Sequence, residues 1–298
     1  EIPPAHTDCV LWQGAIHGIV SSIIWVWEHV YSSVRVDHPR DYHGDSDAAI
    51  LTRPENVMAV GKVGLDLMRL APEVYKMQAA TSPIAIFYGI TAQIWSDRAD
   101  RSLKRTYEAM SFNGLPVVFV SERQAREGGL SRFRAVVLPS IRHVPEDVAS
   151  AILAYVNKGG QLWIVGNPDE TMAYDEYGRV RKLQRVLPQS SIRAWPETTS
   201  VVALRASLLE AFDAVGVQRP VLLRDERGSE PWAIDYRAVG DGNGYLLSMA
   251  NYWGTPKRVS IAVDGQVPST IRDLRKEVPV NSPQIELKPL EALFLRVE

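Results

Sequence analysis

The spacing of apolar residues changes from one block of the chain to the next. Near the start, Val10, Leu11, Ala15 and Ile19 in "TDCVLWQGAIHGI" recur at helical spacing with Thr7 or Asp8 as candidate caps, and "SSIIWVWEHVY" then predicts a buried strand. A polar stretch, "RVDHPRDYHGDSD", follows. Val57, Val60, Gly64, Leu67 and Leu70 next mark one face of a connector helix, opened by the capping-box pattern Thr52, Arg53, Pro54, Glu55 and stopped at Pro72. From there apolar runs alternate with amphipathic ones. "PIAIFYG", "PVVFVSE", "AVVLPS" and "QLWIVG" read as strands, separated by a helix through Leu103, Tyr107 and Met110 and another through Val148, Ile152 and Tyr155. After the helical stretch "VVALRASLLEAFDAVGV" the period shortens. "PVLLRDE", "WAIDYRAV", "GYLLSMANYW", "RVSIAV", "TIRDL" and "EALFLRV" are short runs divided by turn clusters such as "GDGNG", "DGQVP" and "NSPQ".

These patterns predict an α/β chain. Continuous apolar strands between amphipathic helices imply a parallel sheet covered on both faces, here of flavodoxin-like type. The evenly spaced short strands after it imply a small antiparallel β-sandwich. The opening helix and strand are too few to close a sheet, so they must lean on material outside this sequence or on the downstream blocks.

Composition narrows the partners. The 33 basic and 35 acidic residues leave a net charge of -2, which gives no electrostatic ground for a nucleic-acid or anionic-membrane partner. No stretch reaches the roughly 18 uninterrupted apolar residues of a spanning helix. The N-terminus also lacks the basic region and cleavage site of a signal peptide, so any export signal is expected upstream of residue 1. Cys9, the single cysteine, excludes an internal disulfide and a multi-cysteine metal knuckle, and reads as an inert buried thiol. It fits the cytosol without excluding export.

The order of the blocks, with Leu138 and Pro139 followed by a helix and "YVNKGG", resembles the C-terminal part of β-galactosidase-type glycoside hydrolases of family forty-two. The resemblance implies the end of a TIM-type (β/α)8 barrel in residues 1–50, a connector helix in 51–81, an amidotransferase-like flavodoxin domain in 82–218 and a C-terminal β-sandwich in 219–298. It further implies a carbohydrate substrate, an upstream barrel segment as partner, and a homo-oligomer, a trimer in that family, built on the middle domain. No cofactor and no metal are implied.

Retaining hydrolysis needs a nucleophile and an acid/base carboxyl roughly 5 Å apart. By the resemblance the nucleophile ends barrel strand seven. With "VLWQGAIHG" as helix seven and "IIWVW" as strand eight, that strand end falls at "EIPPA", which makes Glu1 the candidate nucleophile and leaves the acid/base upstream. A solvated terminal glutamate is the plain alternative. Trp25 and Trp27 share one strand face and are candidates for a sugar-facing wall, or for an ordinary core role. Glu28, on the opposite face, reads as a rim charge. His38, Asp41, His43, Asp45 and Asp47 crowd a polar loop without the spacing of a tetrahedral metal site. His17 and His29 read as packed histidines.

The middle fold can carry a cysteine nucleophile on a strand-to-helix turn. Here Ser140, Gly166 and Asn167 occupy such turns, and neither a thiolate nor its paired histidine is in view. "GDGNG" lies between strands and reads as a hairpin turn, not a phosphate loop. The competing reading is a non-catalytic module for oligomerisation or carbohydrate contact.

Overall fold

The structure, a computed structural model, describes residues 3–24, 53–175, 177–182 and 188–298. It divides into two compact units, one made of Glu1–Ala80 with Val221–Glu298 and the other of Thr81–Pro220.

Helix α1 spans Pro4–Ile16. It starts before the expected Thr7 or Asp8 because Pro4, whose ring holds φ near the helical value and whose missing N–H would be unpaired anyway, suits the first turn. Residues 21–24 of the expected strand have no regular structure, and the remainder of that strand lies outside the described residues. Helix α2 (Pro54–Arg69) again opens on a proline, with Arg53 at the cap and no side-chain capping bond; Thr52 lies outside the described residues. Pro72 does not end this helical region but sits in the first turn of α3 (Ala71–Ala79). The buried face of α2 also departs from the apolar pattern: it carries Asn56, Val63 and Asp66. Polar residues face inward because each finds a partner there. Thr7 Oγ1 donates to Asn56 Oδ1 at 3.0 Å, and Arg275 Nε donates to Asp66 Oδ2 at 3.0 Å.

In the 81–220 unit the chain runs β1 (Ile84–Tyr88), α4 (Ile90–Trp95), α5 (Asp97–Ser111), β2 (Phe119–Ser121), α6 (Glu122–Arg126) and β3 (Ala135–Pro139). It continues through β4 (His143–Pro145), α7 (Glu146–Asn157), β5 (Gln161–Val165), β6 (Met172–Tyr174), β7 (Val180–Lys182), β8 (Ile192–Trp195) and α8 (Val201–Ala214). The main sheet has the order β2-β1-β3-β5-β8 with every neighbouring pair parallel. This is a doubly wound order whose strand sequence reverses beside β1. Alternate residues feed opposite cores: Val136 and Leu138 pack with Val148 and Ile152 of α7, while Ala135 and Val137 pack with Trp163, Leu208 and Phe212. A small second sheet, β4-β6-β7, extends from the carboxyl side of β3.

The C-terminal strands are β9 (Val221–Arg224), β10 (Ile234–Gly240), β11 (Tyr245–Asn251), β12 (Lys257–Val263), β13 (Ile271–Asp273), β14 (Val278–Pro279), β15 (Gln284–Leu287) and β16 (Ala292–Val297). They form two antiparallel sheets, β10-β11-β16-β13-β14 and β15-β12-β9. "GDGNG" closes the β10–β11 hairpin, with Asp241 N donating to Gly244 O at 2.8 Å. One face of the larger sheet, including Leu247, Met249, Leu293 and Leu295, packs on the smaller sheet. Its other face, including Leu246, Ala250 and Phe294, packs on Cys9, Trp12 and Ile16 of α1 and on Val63, Val74 and Met77 of α2 and α3. The opening helices are therefore a layer of the C-terminal β-unit. Each fully buried large side chain in this layer contributes about 1.5–3 kcal/mol.

Candidate functional site

Open doubly wound sheets hold ligands at the carboxyl ends of their strands. At that edge of the 81–220 unit, Ser140 leaves β3 with φ +35, in the left-handed region that a β-carbon disfavours. Its N–H donates to Val165 O at 2.7 Å, and its hydroxyl donates to Glu197 Oε2 at 3.2 Å. Gly166, the residue after β5, has φ +146, and a β-carbon there would sit 3.1 Å from Ser140 Cα. The close approach of the two turns thus needs glycine at 166.

The charges at this edge are matched to one another. Arg98 Nε binds Glu197, Arg98 Nη1 donates to Glu170 Oε2 at 3.2 Å, and Arg142 Nη2 lies 2.5 Å from the same oxygen. Nearby, the carboxylate of Glu122, only 5% exposed, accepts from Thr91 N at 2.9 Å and from Thr91 Oγ1 at 3.0 Å. The Ser140 hydroxyl therefore faces a carboxylate already held by a guanidinium, not an imidazole ready to take its proton. That arrangement fixes the turn, and among the described residues no imidazole hydrogen-bonds the Ser140 hydroxyl. His143 is instead stacked between Trp95, with ring centroids 5.7 Å apart, and Tyr174, at 5.2 Å. Burial, with the charge of Arg142 in second place, lowers its pKa and favours the neutral ring.

Cys9 supplies no thiolate either. It is fully buried in the core of the other unit, and its pKa is pushed up to about 12, first by burial and then by the charges of Asp8 and Asp235. The thiol is inert, as its isolation in the sequence suggested.

The helix after Glu1 is fastened at both ends. At its first turns, Arg275 Nη2 and Nη1 donate to Asp8 Oδ1 and Oδ2 at 2.6 and 2.8 Å, and the guanidinium lies 4.6 Å above the Trp12 ring. At its last turn, Arg237 Nη1 donates to Ile16 O at 3.1 Å and Nη2 contacts His17 Nδ1 at 3.3 Å. His17 Nε2 faces Asp235 Oδ2 at 3.1 Å. Arginine can only donate, so Nδ1 is the acceptor of the Arg237 contact. His17 is a packed, paired histidine, as expected.

Glu1, Trp25 and Trp27 lie outside the described residues, as do Glu28, His29 and the loop from His38 to Asp47. The described part of the proposed barrel end is α1 and the segment after it. Among the described residues, no group of three His, Cys, Asp or Glu side chains could hold a metal ion, and no helix is long and apolar enough to cross a membrane. Sequence reasoning missed the Arg98, Glu170, Glu197 and Arg142 cluster. Its members are spread over a hundred positions and no local motif links them.

The parallel sheet with its covering helices and the antiparallel sheets after it make a mixed α/β fold of the kind found in β-galactosidase-type glycoside hydrolases. A GH42 exo-carrageenase from Bacteroides ovatus superposes with a TM-score of 0.77 at 19% identity, over 100% of this chain and 39% of that one. A catalytic mutant of a GH42 beta-galactosidase from G. stearothermophilus matches 100% of this chain and 51% of its own, with a TM-score of 0.66 and 12% identity. A beta-galactosidase from Bacillus circulans sp. alkalophilus matches 83% of this chain and 46% of its own, with a TM-score of 0.60 and 12% identity. The chain thus shares the fold of a C-terminal part of such enzymes and spans about two fifths to one half of their length. No family model and no curated protein matches the sequence.

Proposed function

We propose that the chain is the C-terminal segment of a retaining, β-galactosidase-like glycoside hydrolase that cleaves glycosidic bonds together with an upstream (β/α)8 barrel. The fold match over the whole chain to a GH42 exo-carrageenase and a GH42 beta-galactosidase carries this reading. Residues 1–50 then end the barrel, 51–81 connect, 82–218 form the flavodoxin-like domain and 219–298 the β-sandwich. Glu1 attacks the anomeric carbon, an acid/base carboxyl from the upstream barrel protonates the leaving oxygen and later activates water, and Trp25 and Trp27 form part of the sugar-facing wall. The length of α1 supports the placement. Its 13 residues make the three to four turns that separate successive strand ends in such a barrel.

The test is a pair of measurements. The 298-residue chain alone should leave an aryl β-galactoside uncleaved, since one of two essential carboxyls is missing. In the longer protein, Glu1→Gln should slow kcat by several orders of magnitude with the fold intact; retention of more than about a tenth of kcat would place the nucleophile elsewhere.

A second role, assembly through the middle domain into a homo-oligomer such as a trimer, is favoured by one observation. Ile90 (46% exposed), Ile94 (76%) and Trp95 (71%) leave α4 with an apolar outer face. Light scattering of the purified chain decides this, and a strictly monomeric particle at high concentration refutes it.

A further inference from the structure

Helix α2 is apolar well beyond the side it buries. Counted at helical spacing, its apolar residues run from Val63, buried, through Val60 and Leu67, half-buried, to Met58, Leu65 and Met68, which are 67%, 70% and 79% exposed. These last three lie on the side of the helix turned away from Asn56, Val63 and Asp66. An ordinary surface helix buries one apolar stripe, whereas a helix apolar round more than half its surface has a second layer to meet. Among the described residues only the first side meets one, the core shared with α1 and the larger antiparallel sheet. We infer that the outer face of α2 is the seat of the upstream barrel, on whose strands α2 packs as a covering helix. The inference rests on the hydrolase reading above, and it makes α2 part of the barrel wall as well as a connector.

The surface of the stripe fits close packing from outside. Gly61 and Gly64 fall on it, in the middle of the helix, and a β-carbon at either would meet nothing within 4 Å. Packing inside the chain therefore does not call for glycine at these positions, and glycine weakens a helix relative to alanine. Their gain is to let another backbone approach between Met58, Leu65 and Met68.

Position along the chain names the occupant. At Met58 the stripe runs into a groove of about 670 Å³ whose lining includes Pro4, Ala5, Met58, Ala59 and Leu290. Pro4 stands three residues from residue 1, so an upstream segment joined there begins within about 11 Å of the groove wall. Covalent attachment over so short a link holds that segment at an effective concentration on the order of millimolar, an advantage that a separate partner lacks. The order of elements agrees. Each strand of a (β/α)8 barrel is followed by a helix that covers the outside. With α1 as helix seven, α2 is the next helix along the chain and takes the place of the eighth. A second copy of the chain is the other candidate for such a face, and oxidation of the two exposed methionines separates the two.

Dilute hydrogen peroxide with peptide mass spectrometry follows the face directly, because Met58 and Met68 lie on it and the fully buried Met77 serves as an internal control. In the 298-residue chain Met58 and Met68 should oxidise fast and Met77 slowly. In the longer protein the two exposed methionines should slow by about fivefold or more, with Met77 unchanged. Gly61→Gln combined with Leu65→Glu, at positions the 298-residue chain leaves open, should return them to fast oxidation in the longer protein. Equal rates in the two proteins overturn the proposal, and so does protection that survives the double substitution. Slow oxidation of Met58 and Met68 in the 298-residue chain overturns it as well, since a second copy or the chain itself then covers the stripe. The hydrolase reading is judged apart, by turnover of an aryl β-galactoside in the longer protein. Turnover with both methionines still oxidised refutes the seat alone, whereas protection without turnover keeps the seat and counts against the reading.

Discussion

Replacing Arg275 with methionine removes a cation from the contact between α1, α2 and the larger antiparallel sheet. The Arg275 side chain is 6% exposed and serves Asp8, 20% exposed, and Asp66, 10% exposed. It also donates to Ala292 O at 3.1 Å and covers Trp12. Methionine fills most of the volume but leaves two carboxylates without their shared partner. Breaking a buried ion pair from one side costs about 3–5 kcal/mol. Asp66 keeps Arg69 Nη2 at 3.1 Å and Asp8 is partly hydrated, so the lower end applies, about 3 kcal/mol. Cys9 makes the assay specific to this unit: it is the single cysteine, it is fully buried in this core, and its raised pKa silences it until the core opens. Thiol labelling across a urea series should therefore show the transition of Arg275→Met shifted down by about 1–2 M. Adding Asp8→Asn and Asp66→Asn should restore part of the loss, because the penalty lies in the stranded charges. A shift worth under about 1 kcal/mol, or no rescue by the asparagines, would refute the reasoning.

Two further outcomes are expected. Burial works to raise the pKa of Asp241, but hydrogen bonds from Lys76 and Arg296 outweigh it, and the carboxyl sits below its usual range. A depressed native pKa contributes stability above the unfolded value near 3.9, which is lost as pH falls through the native value; Asp241→Asn should therefore lower Tm at neutral pH by an amount worth about 1 kcal/mol, and the difference should shrink as the carboxyl is protonated in acid. At Gly160 an added β-carbon would lie 2.2 Å from the Tyr155 ring, whose hydroxyl donates to Phe133 O and Gln161 O at 3.3 and 3.2 Å. Gly160→Ala should cost about 1–3 kcal/mol in chemical denaturation, and Tyr155→Phe/Gly160→Ala should not relieve it, since the clash is with the ring.

The strands with continuous apolar runs, "IAIFY", "AVVLP" and "QLWIV", were legible because a sheet covered on both faces excludes polar side chains from its centre. The edge strand "IRAW" was not, since only Ile192 and Trp195 are even half buried and the run has no periodicity to read. Proline misled twice for the same reason. At positions 4 and 72 it stands in a first turn, whereas the apolar spacing set the first helix start later, at Thr7 or Asp8, and Pro72 read as a stop. The buried face of α2 was hidden because Asn56 and Asp66 are polar, and only partners far along the chain, Thr7 before them and Arg275 after, make their burial favourable. The same holds at the carboxyl edge of the parallel sheet. Ser140 was visible as the residue after a strand, but its left-handed backbone and its bond to Glu197 depend on how β3 and β8 are spaced across the sheet.

The layer formed by α1, α2 and α3 on the C-terminal sheet has a bearing on how the chain is made. Its core is closed by Phe294 and Ala292 on β16, near the far end of the sequence. At a synthesis rate of about 5–20 residues per second, the apolar face of α1 would wait on the order of fifteen to fifty-five seconds before that strand is made. The 81–220 unit, contiguous in sequence, can fold during the delay. The sides of Trp12, Ile16 and Met77 that pack on the sheet thus wait for β16, and a stop codon placed before residue 292 would leave them without Ala292 and Phe294.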